Sequence, residues 1–488
     1  MDYERLPIIL KRYSFIEKMR VLQYYSKLIM NITGVDLISK QPMAWDLETF
    51  LLFSVKADEY QNNDFKGKNI NQFIKMINCI KSHQHPTLIN KIGTVEFADF
   101  LLIALGSTQF DIQTYNIYKY YRYNYFFTYS SDKIDMKQEF YKKFNVDYNS
   151  FLELGSILSF FCSLKVNLEP QILRYIVLKY ANATSLLILS REDFKKEIDK
   201  FSNNIDDYLY CVRPSYIYPF IEYGGLANLP LPHCVTRAIT DSLLYRLTDD
   251  NAELRSLFGK NVLEDYLFDI IDNSTLFDEV LKEKIYKKKH NILKTSDVMC
   301  RKNEDYLFFE CKSTVPYAKT RCLDENFINQ EIDKISNYVI QLYKQVYLDF
   351  KNIYNFFEND KDVIFDYNNC FRIVVLLEES HIRREIIYKD VAKKLNIGLS
   401  SDLYNWIINH IKICDLYDIE RYVFTNTNII KSLKKQIKTN TPYDYSLSNS
   451  KTNSIIKNND VYSFKKCISN NIKKITDELI KVGLLKKN

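Results

Sequence analysis

A glutamate and a lysine close the run DYLFFECKS, Asp305 to Ser313, whose other residues are strand formers of the kind a sheet buries. Side chains alternate between the faces of a strand, so Glu310 and Lys312 share one face, roughly 7 Å apart at about 3.3 Å per residue. Upstream, SDVMCRK, Ser296 to Lys302, is a second short strand candidate, and Asn303, Glu304 and Asp305 between the two are turn formers. A hairpin closed by two or three residues places Asp297 opposite Lys312 or Cys311, with Glu310 on the diagonal at about 5 to 8 Å. Two carboxylates and an ammonium gathered in one small space can hold a hard cation and position a water. Buried without a partner, each charge would cost several kcal/mol. The plain alternative is a solvated strand-end pair worth under about 1 kcal/mol.

The neighbouring segments decide whether such a grouping can be held. AELRSLFGKNVLEDYLFDIID reads as a helix with Leu263, Leu267, Ile270 and Ile271 as its apolar stripe. At 100° per residue Glu264 lies on the flank of that stripe, while Asp265 and Asp269 face away, so Glu264 is the acid able to reach back over the sheet. After the strand, Ile328, Ile332, Ile335, Val339, Leu342 and Val346 define a helix from Asn326 to about Phe350. FRIVVLLEES, from Phe371, is continuously apolar, as a central strand buried on both faces would be. With a further strand somewhere in Lys282 to Leu293, the order is helix, strand, two strands, helix, strand: one compact α/β sheet.

An acid on a leading helix, an Asp at a strand start, and Glu-x-Lys 13 positions later at the end of a neighbouring strand resemble the PD-(D/E)xK nuclease superfamily with its restriction-endonuclease-like core. The resemblance covers residues 254–380, about a quarter of the chain. It implies that Asp297 and Glu310 hold one or two Mg²⁺ (or Mn²⁺) ions, with the backbone carbonyl of Cys311 as a further ligand and Glu264 assisting. It implies that Lys312 orients or activates the attacking water, its pKa lowered beside the cations. The family's Pro before the Asp is Ser296 here, which removes no chemical group. Cys311 points its side chain to the opposite face and reads as core. Phosphodiester cleavage places charge on phosphorus and on the leaving oxygen, which a hard cation neutralises. The implied activity is a metal-dependent nuclease, a Mg²⁺-dependent phosphodiesterase acting on DNA, with RNA the other substrate. Defence of bacteria against foreign DNA would suit it by analogy of fold. The alternatives are a non-catalytic nucleic-acid-binding or scaffold protein on the same core, and an RNA-cleaving toxin.

At 488 residues the chain is long enough for roughly two to four domains. The fold class expected is α+β and multidomain: a mainly helical region 1–205, a nuclease-like mixed sheet flanked by helices over 206–400, and a helical, basic, Lys- and Asn-rich segment 401–488. The first of these is expected to recognise the substrate, a protein partner or a second copy. RPSYIYPFIEYGGLANLPLP, with its Pro and Gly-Gly, marks strand and turn near the first boundary. With 46% hydrophobic and 26% charged residues the composition is globular. The charged start MDYERLP carries no secretory h-region, and runs such as FADFLLIALG are too short to span a membrane; a cytoplasmic protein without membrane contact is expected. The 10 cysteines include no CxxC pair and read as reduced, packed thiols. His83 and His85 read as a loop with two polar rings.

Four further features bear on partners. From Lys431 to Asn488, 13 lysines face four acids, a basic arm for phosphates or a solvated tail, with Thr425 to Asn459 as a loop and a final helix over Ser463 to Leu485. YNIYKYYRYNYFFTYS, Tyr115 to Ser130, interleaves aromatics with Lys119 and Arg122 as a stacking platform would, although core packing is the commoner use. Lys319, Arg321 and the lysines 282, 284, 287, 288 and 289 of LKEKIYKKKH are cations that could contact phosphates or face solvent. Gln330 and Gln341 lie on the helix where relatives sometimes place polar site residues, and neither is assigned a role.

Overall fold

The computed structural model describes residues 2–30, 42–94, 96–109, 116–163, 168–201, 204–209, 214–315, 323–349, 366–439 and 455–486, with 320, 356, 357, 447 and 452. The protein is α+β, with helices predominating and mixed sheets between them. Ten strands are found among the described residues: β1 Ile188–Ser190, β2 Phe220–Tyr223, β3 Leu226–Asn228, β4 Glu279–Lys282, β5 Ile285–Lys288, β6 Asn291–Lys294, β7 Val298–Lys302, β8 Asp305–Lys312, β9 Cys370–Leu376 and β10 Ile411–Asp415. The main sheet is five-stranded in the order β10-β9-β8-β7-β4. Its β8, β9 and β10 pair in parallel, β7 runs antiparallel to β8, and β4, antiparallel to β7, runs in the direction of the other three. Every residue of β9 is buried, the outcome its unbroken apolar run requires of a central strand.

The principal helices are α1 Phe15–Met30, α2 Ala44–Lys56, α3 Asn116–Thr128, α4 Tyr148–Ser163, α5 Glu264–Asp272, α6 Glu325–Tyr343, α7 Arg384–Leu395, α8 Leu416–Phe424 and α9 Asn459–Lys481. Leu307, Phe309 and Cys311 of β8 share a core with α5, α3 and α8. Tyr306 and Phe308 pack on Val346 and Phe357, while Val374 and Leu376 of β9 meet Ile335, Val339 and Leu342 of α6. Period-2 alternation along β8 and period-3.6 stripes on α5 and α6 thus settle which side chains meet.

The β7–β8 register differs from the expected one. Lys302 pairs with Asp305 and Val298 with Phe309, so Asp305 belongs to the strand and only Asn303 and Glu304 make the turn. Asn303 takes a left-handed φ of 54°, as two-residue hairpin turns require. One further step sets Asp297 across from Glu310, rather than from Lys312 or Cys311. The strand expected within Lys282 to Leu293 is also displaced. The sheet takes β4, just before that interval, whereas β5 and β6 form a separate hairpin. Tyr286 and Leu293 turn from this hairpin into the core while Ile285 and Ile292 stay exposed.

Packing crosses the boundaries drawn at 205 and 400. One core joins α3 and α4 to the sheet, α8 and α9; another gathers α1 and α2 with Phe194, Tyr216, Ile221 and Cys234. The basic end is not a free arm. Ile429–Thr439, expected as loop, is a helix with Ile429, Ile430 and Leu433 buried, and α9 docks Val461, Ile468, Ile475 and Leu479 into the core. Nor is Asn116 to Ser130 a stacking platform, Tyr115 lying outside the described residues: Lys119 and Arg122 on α3 are 1% and 0% exposed, and Arg122 forks onto Glu420 at 2.7 and 2.8 Å.

The Gly-Gly turn joins β2 to β3, with Gly224 and Gly225 at φ of 61° and 73°, a geometry that L side chains resist. His83 and His85 meet Asp206 and Asp207. Of the described cysteines, all are free thiols and only Cys467 is exposed; Cys211 and Cys322 lie outside the described residues. No described helix is long and apolar enough to cross a membrane.

Candidate metal centre

The site forms where β7 begins and β8 ends. Asp297 and Glu310 are 9% and 4% exposed. Asp297 Oδ2 accepts the Cys311 N–H at 2.7 Å, which fixes the carboxylate to the neighbouring strand. Lys312 Nζ donates to Glu310 Oε1 at 2.9 Å, and Gln341 Nε2 donates to the same oxygen at 2.7 Å. The second carboxylate oxygen, Oε2, is buried with no hydrogen-bond partner. Tyr338, one turn before Gln341 on α6, sets its ring 4.9 Å from Lys312 Nζ.

Glu264 comes from the other face of the sheet, around the strand end. A π-turn, Phe258–Leu263, immediately precedes it, a feature frequent at functional sites. Asp265 and Asp269 turn away, but to α3 and its sequel rather than to water: they accept the hydroxyls of Tyr129 and Tyr125 at 2.5 and 2.6 Å. Two depressions meet at Lys260, Glu264 and Glu283. One of about 320 Å³ reaches Asp297 and the other, of about 520 Å³, reaches Lys312, Lys294, Lys334 and Arg255.

Electrostatics mark this place as under-neutralised. Burial, then the charges of Glu310 and Glu264, push Asp297 well above the carboxylate range. Burial and then Glu283 and Glu310 raise Glu264 to about 7. Glu310 is also raised by burial, against the lowering effect of Lys312 and Gln341. For Lys312 burial works downward, but Glu310 and Asp297 outweigh it and the net shift is upward. The expected lowering of Lys312 is therefore absent in the field of the protein's own groups, because its neighbours are anions. A positive charge among the carboxylates would oppose each of these upward shifts.

All four expected site residues converge, and the Cys311 side chain is core, with burial pushing its thiol far up. Two groups join them. Gln341, named on the helix without a role, is one position before the buried Leu342, so helical phase alone could have placed it over the strand end, whereas Glu283 was missed. Glu283 follows β4, and its N–H donates to the Asp297 carbonyl at 3.0 Å; the β4–β7 pairing that brings it there leaves no sequence signal. Gln330 is exposed on α6. Lys282 is held by Asp265 at 2.7 Å and Lys288 by Asp349. Lys284, Lys287 and Lys289 are exposed, whereas Lys319 and Arg321 lie outside the described residues. Among the described residues, the one group of three metal-ligating side chains with ligand atoms all within 4.8 Å is elsewhere: Glu48, His233 and Cys234. Asp297, Glu310 and Glu264 do not meet that spacing as a set.

Comparison with protein-family models, with curated proteins and with solved structures finds no match to this chain.

Proposed function

We propose that the protein is a Mg²⁺- or Mn²⁺-dependent nuclease hydrolysing phosphodiester bonds, with DNA as its substrate, on a restriction-endonuclease-like core. One observation carries this reading: Asp297 and Glu310 are buried across from each other with Lys312 beside them, and Glu310 keeps a carboxylate oxygen with nothing to bond. Like charges facing across a strand pair destabilise a sheet, and clustered perturbed carboxylates in a cleft are a signature of functional sites. The strand order β10-β9-β8-β7-β4, with α6 between β8 and β9, supports the core assignment.

In this reading Asp297, Glu310 and the Cys311 carbonyl hold the ion, with Glu264 as an outer carboxylate. The bound ion supplies positive charge where the phosphate and the leaving oxygen become negative. Gln341 fixes the Glu310 carboxylate through Oε1. Lys312, protonated and held by Glu310 and the Tyr338 ring, donates to the attacking water and orients it, so holding the water suits it better than acting as base. Lys260, Lys294, Lys334 and Arg255 line the adjoining depression, where cations position a phosphate backbone without reading sequence.

The test is incubation with plasmid, linear and single-stranded DNA and with RNA, in Mg²⁺, Mn²⁺ or EDTA. DNA cleavage that needs the cation is the expected result. Preference for RNA would reassign the substrate to that of a toxin, and no cleavage of any substrate would leave a non-catalytic scaffold.

A further inference from the structure

A second cluster of ligating side chains lies in the other core, away from the sheet. His233 and Cys234 sit on the short 3-10 turn Pro232–Cys234, and Glu48 comes from α2. His233 Nε2 is 3.0 Å from Glu48 Oε1, and the three ligand atoms all lie within 4.8 Å of one another. Glu48 and Cys234 are 1% and 0% exposed. An imidazole, a thiolate and a carboxylate converging this closely form a zinc donor set, softer than the all-oxygen set at the strand end.

The surrounding hydrogen bonds point the same way. A metal-ligating histidine normally gives its other ring nitrogen to a fixed partner, and a ligating carboxylate has its free oxygen held. Here His233 Nδ1 meets Ser26 Oγ at 2.8 Å, and Tyr216 donates to Glu48 Oε2 at 2.6 Å. Cys234 Sγ lies 3.9 Å from Ser215 Oγ. The outer atoms of the set are thus held while Nε2, Oε1 and Sγ face one another. Ser26 is on α1, so the cluster joins α1 and α2 to the segment that leads from β3 toward α5.

We infer that Glu48, His233 and Cys234 form a structural zinc site that cross-links the α1–α2 pair to the 232–234 turn. Binding displaces the Cys234 thiol proton and the proton on His233 Nε2, both released to solvent. Three protein donors leave one tetrahedral position to a water. Held by buried donors on three segments, the ion would stabilise the fold and take no part in the strand-end chemistry.

The test uses the full chain, produced in zinc-supplemented medium, desalted and analysed for metal. About one zinc ion per chain is expected, retained in Asp297→Ala and lost in Cys234→Ser and His233→Gln. Cobalt substitution should give a thiolate-to-metal charge-transfer band that Cys234→Ser abolishes. Should those variants fail to fold, X-ray absorption at the zinc edge of the unaltered protein decides: a sulfur at about 2.3 Å with nitrogen and oxygen neighbours is expected. A protein without zinc and without a cobalt band overturns the inference, as does a first shell lacking sulfur, or zinc retained by folded Cys234→Ser and His233→Gln.

Discussion

Replacing Glu264 by Gln should stabilise the protein in EDTA while impairing it as an enzyme. Glu264 rises from an ordinary 4.5 to about 7 because it is buried beside Glu283 and Glu310. The sign follows directly: with the folded-state pKa above the unfolded one, the folded state holds the extra proton, and stability falls as pH climbs from about 4.5 to about 7. At about 1.4 kcal/mol per tenfold, the ionised carboxylate costs about 3 kcal/mol, or about 2 kcal/mol once partial exposure and screening are discounted. Gln keeps the shape and removes the charge. Calorimetric unfolding in EDTA from pH 4.5 to pH 8 should show both proteins losing stability, since Asp297 and Glu310 are raised as well, and Glu264→Gln losing less. At pH 8 the variant should lead by about 2 kcal/mol, and at pH 4.5 the two should coincide. Mg²⁺ should raise wild type toward the variant, since a ligand of the folded state alone stabilises by mass action. Equal pH slopes for the two proteins, or a variant less stable than wild type at pH 8, would refute the claim that the carboxylates crowd one another.

Other outcomes follow from named contacts. Gln341→Ala removes one donor from Glu310 Oε1 and should slow cleavage about 10- to 100-fold with the fold intact, as supporting residues of metal sites do; an unchanged rate would exclude Gln341 from the site. Arg122→Met removes two of the three hydrogen bonds to buried Glu420, leaving that of Tyr266, and should cost about 3 to 5 kcal/mol in thermal unfolding. Deleting residues 459–488 uncovers the core positions filled by Val461, Ile468, Ile475 and Leu479 and should yield insoluble protein; a soluble truncation whose only change is weaker, salt-sensitive binding to DNA would restore the basic-arm reading.

The sequence made the central sheet legible because its signals were local and periodic. The unbroken apolar run of β9, the alternation in DYLFFECKS and the 4-3-4 stripe of α6 each name their own partner face. The register slipped because Asp305 is equally at home in a turn or at a strand start, and only the left-handed Asn303 settles it. In the basic segment the final helix was legible from the spacing of Ile468, Ile475 and Leu479, whereas the Asn, Ser and Thr content hid the helix Ile429–Thr439, expected as loop. The Glu48–His233 contact spans 185 residues and leaves no trace in either local sequence. Core packing is the favoured reading of the stretch that holds Lys119 and Arg122, but their partners, Asp241 and Glu420, are reached only through the tertiary fold.

The most direct measurement of the central claim compares wild type, Asp297→Ala and Lys312→Ala, each shown to unfold cooperatively, in cleavage of plasmid DNA across a Mg²⁺ titration. Cation-dependent cutting by wild type, with both variants reduced by orders of magnitude at saturating Mg²⁺, is the predicted result. Wild type that cuts equally well in EDTA, or variants that cut as fast as their parent, would contradict it.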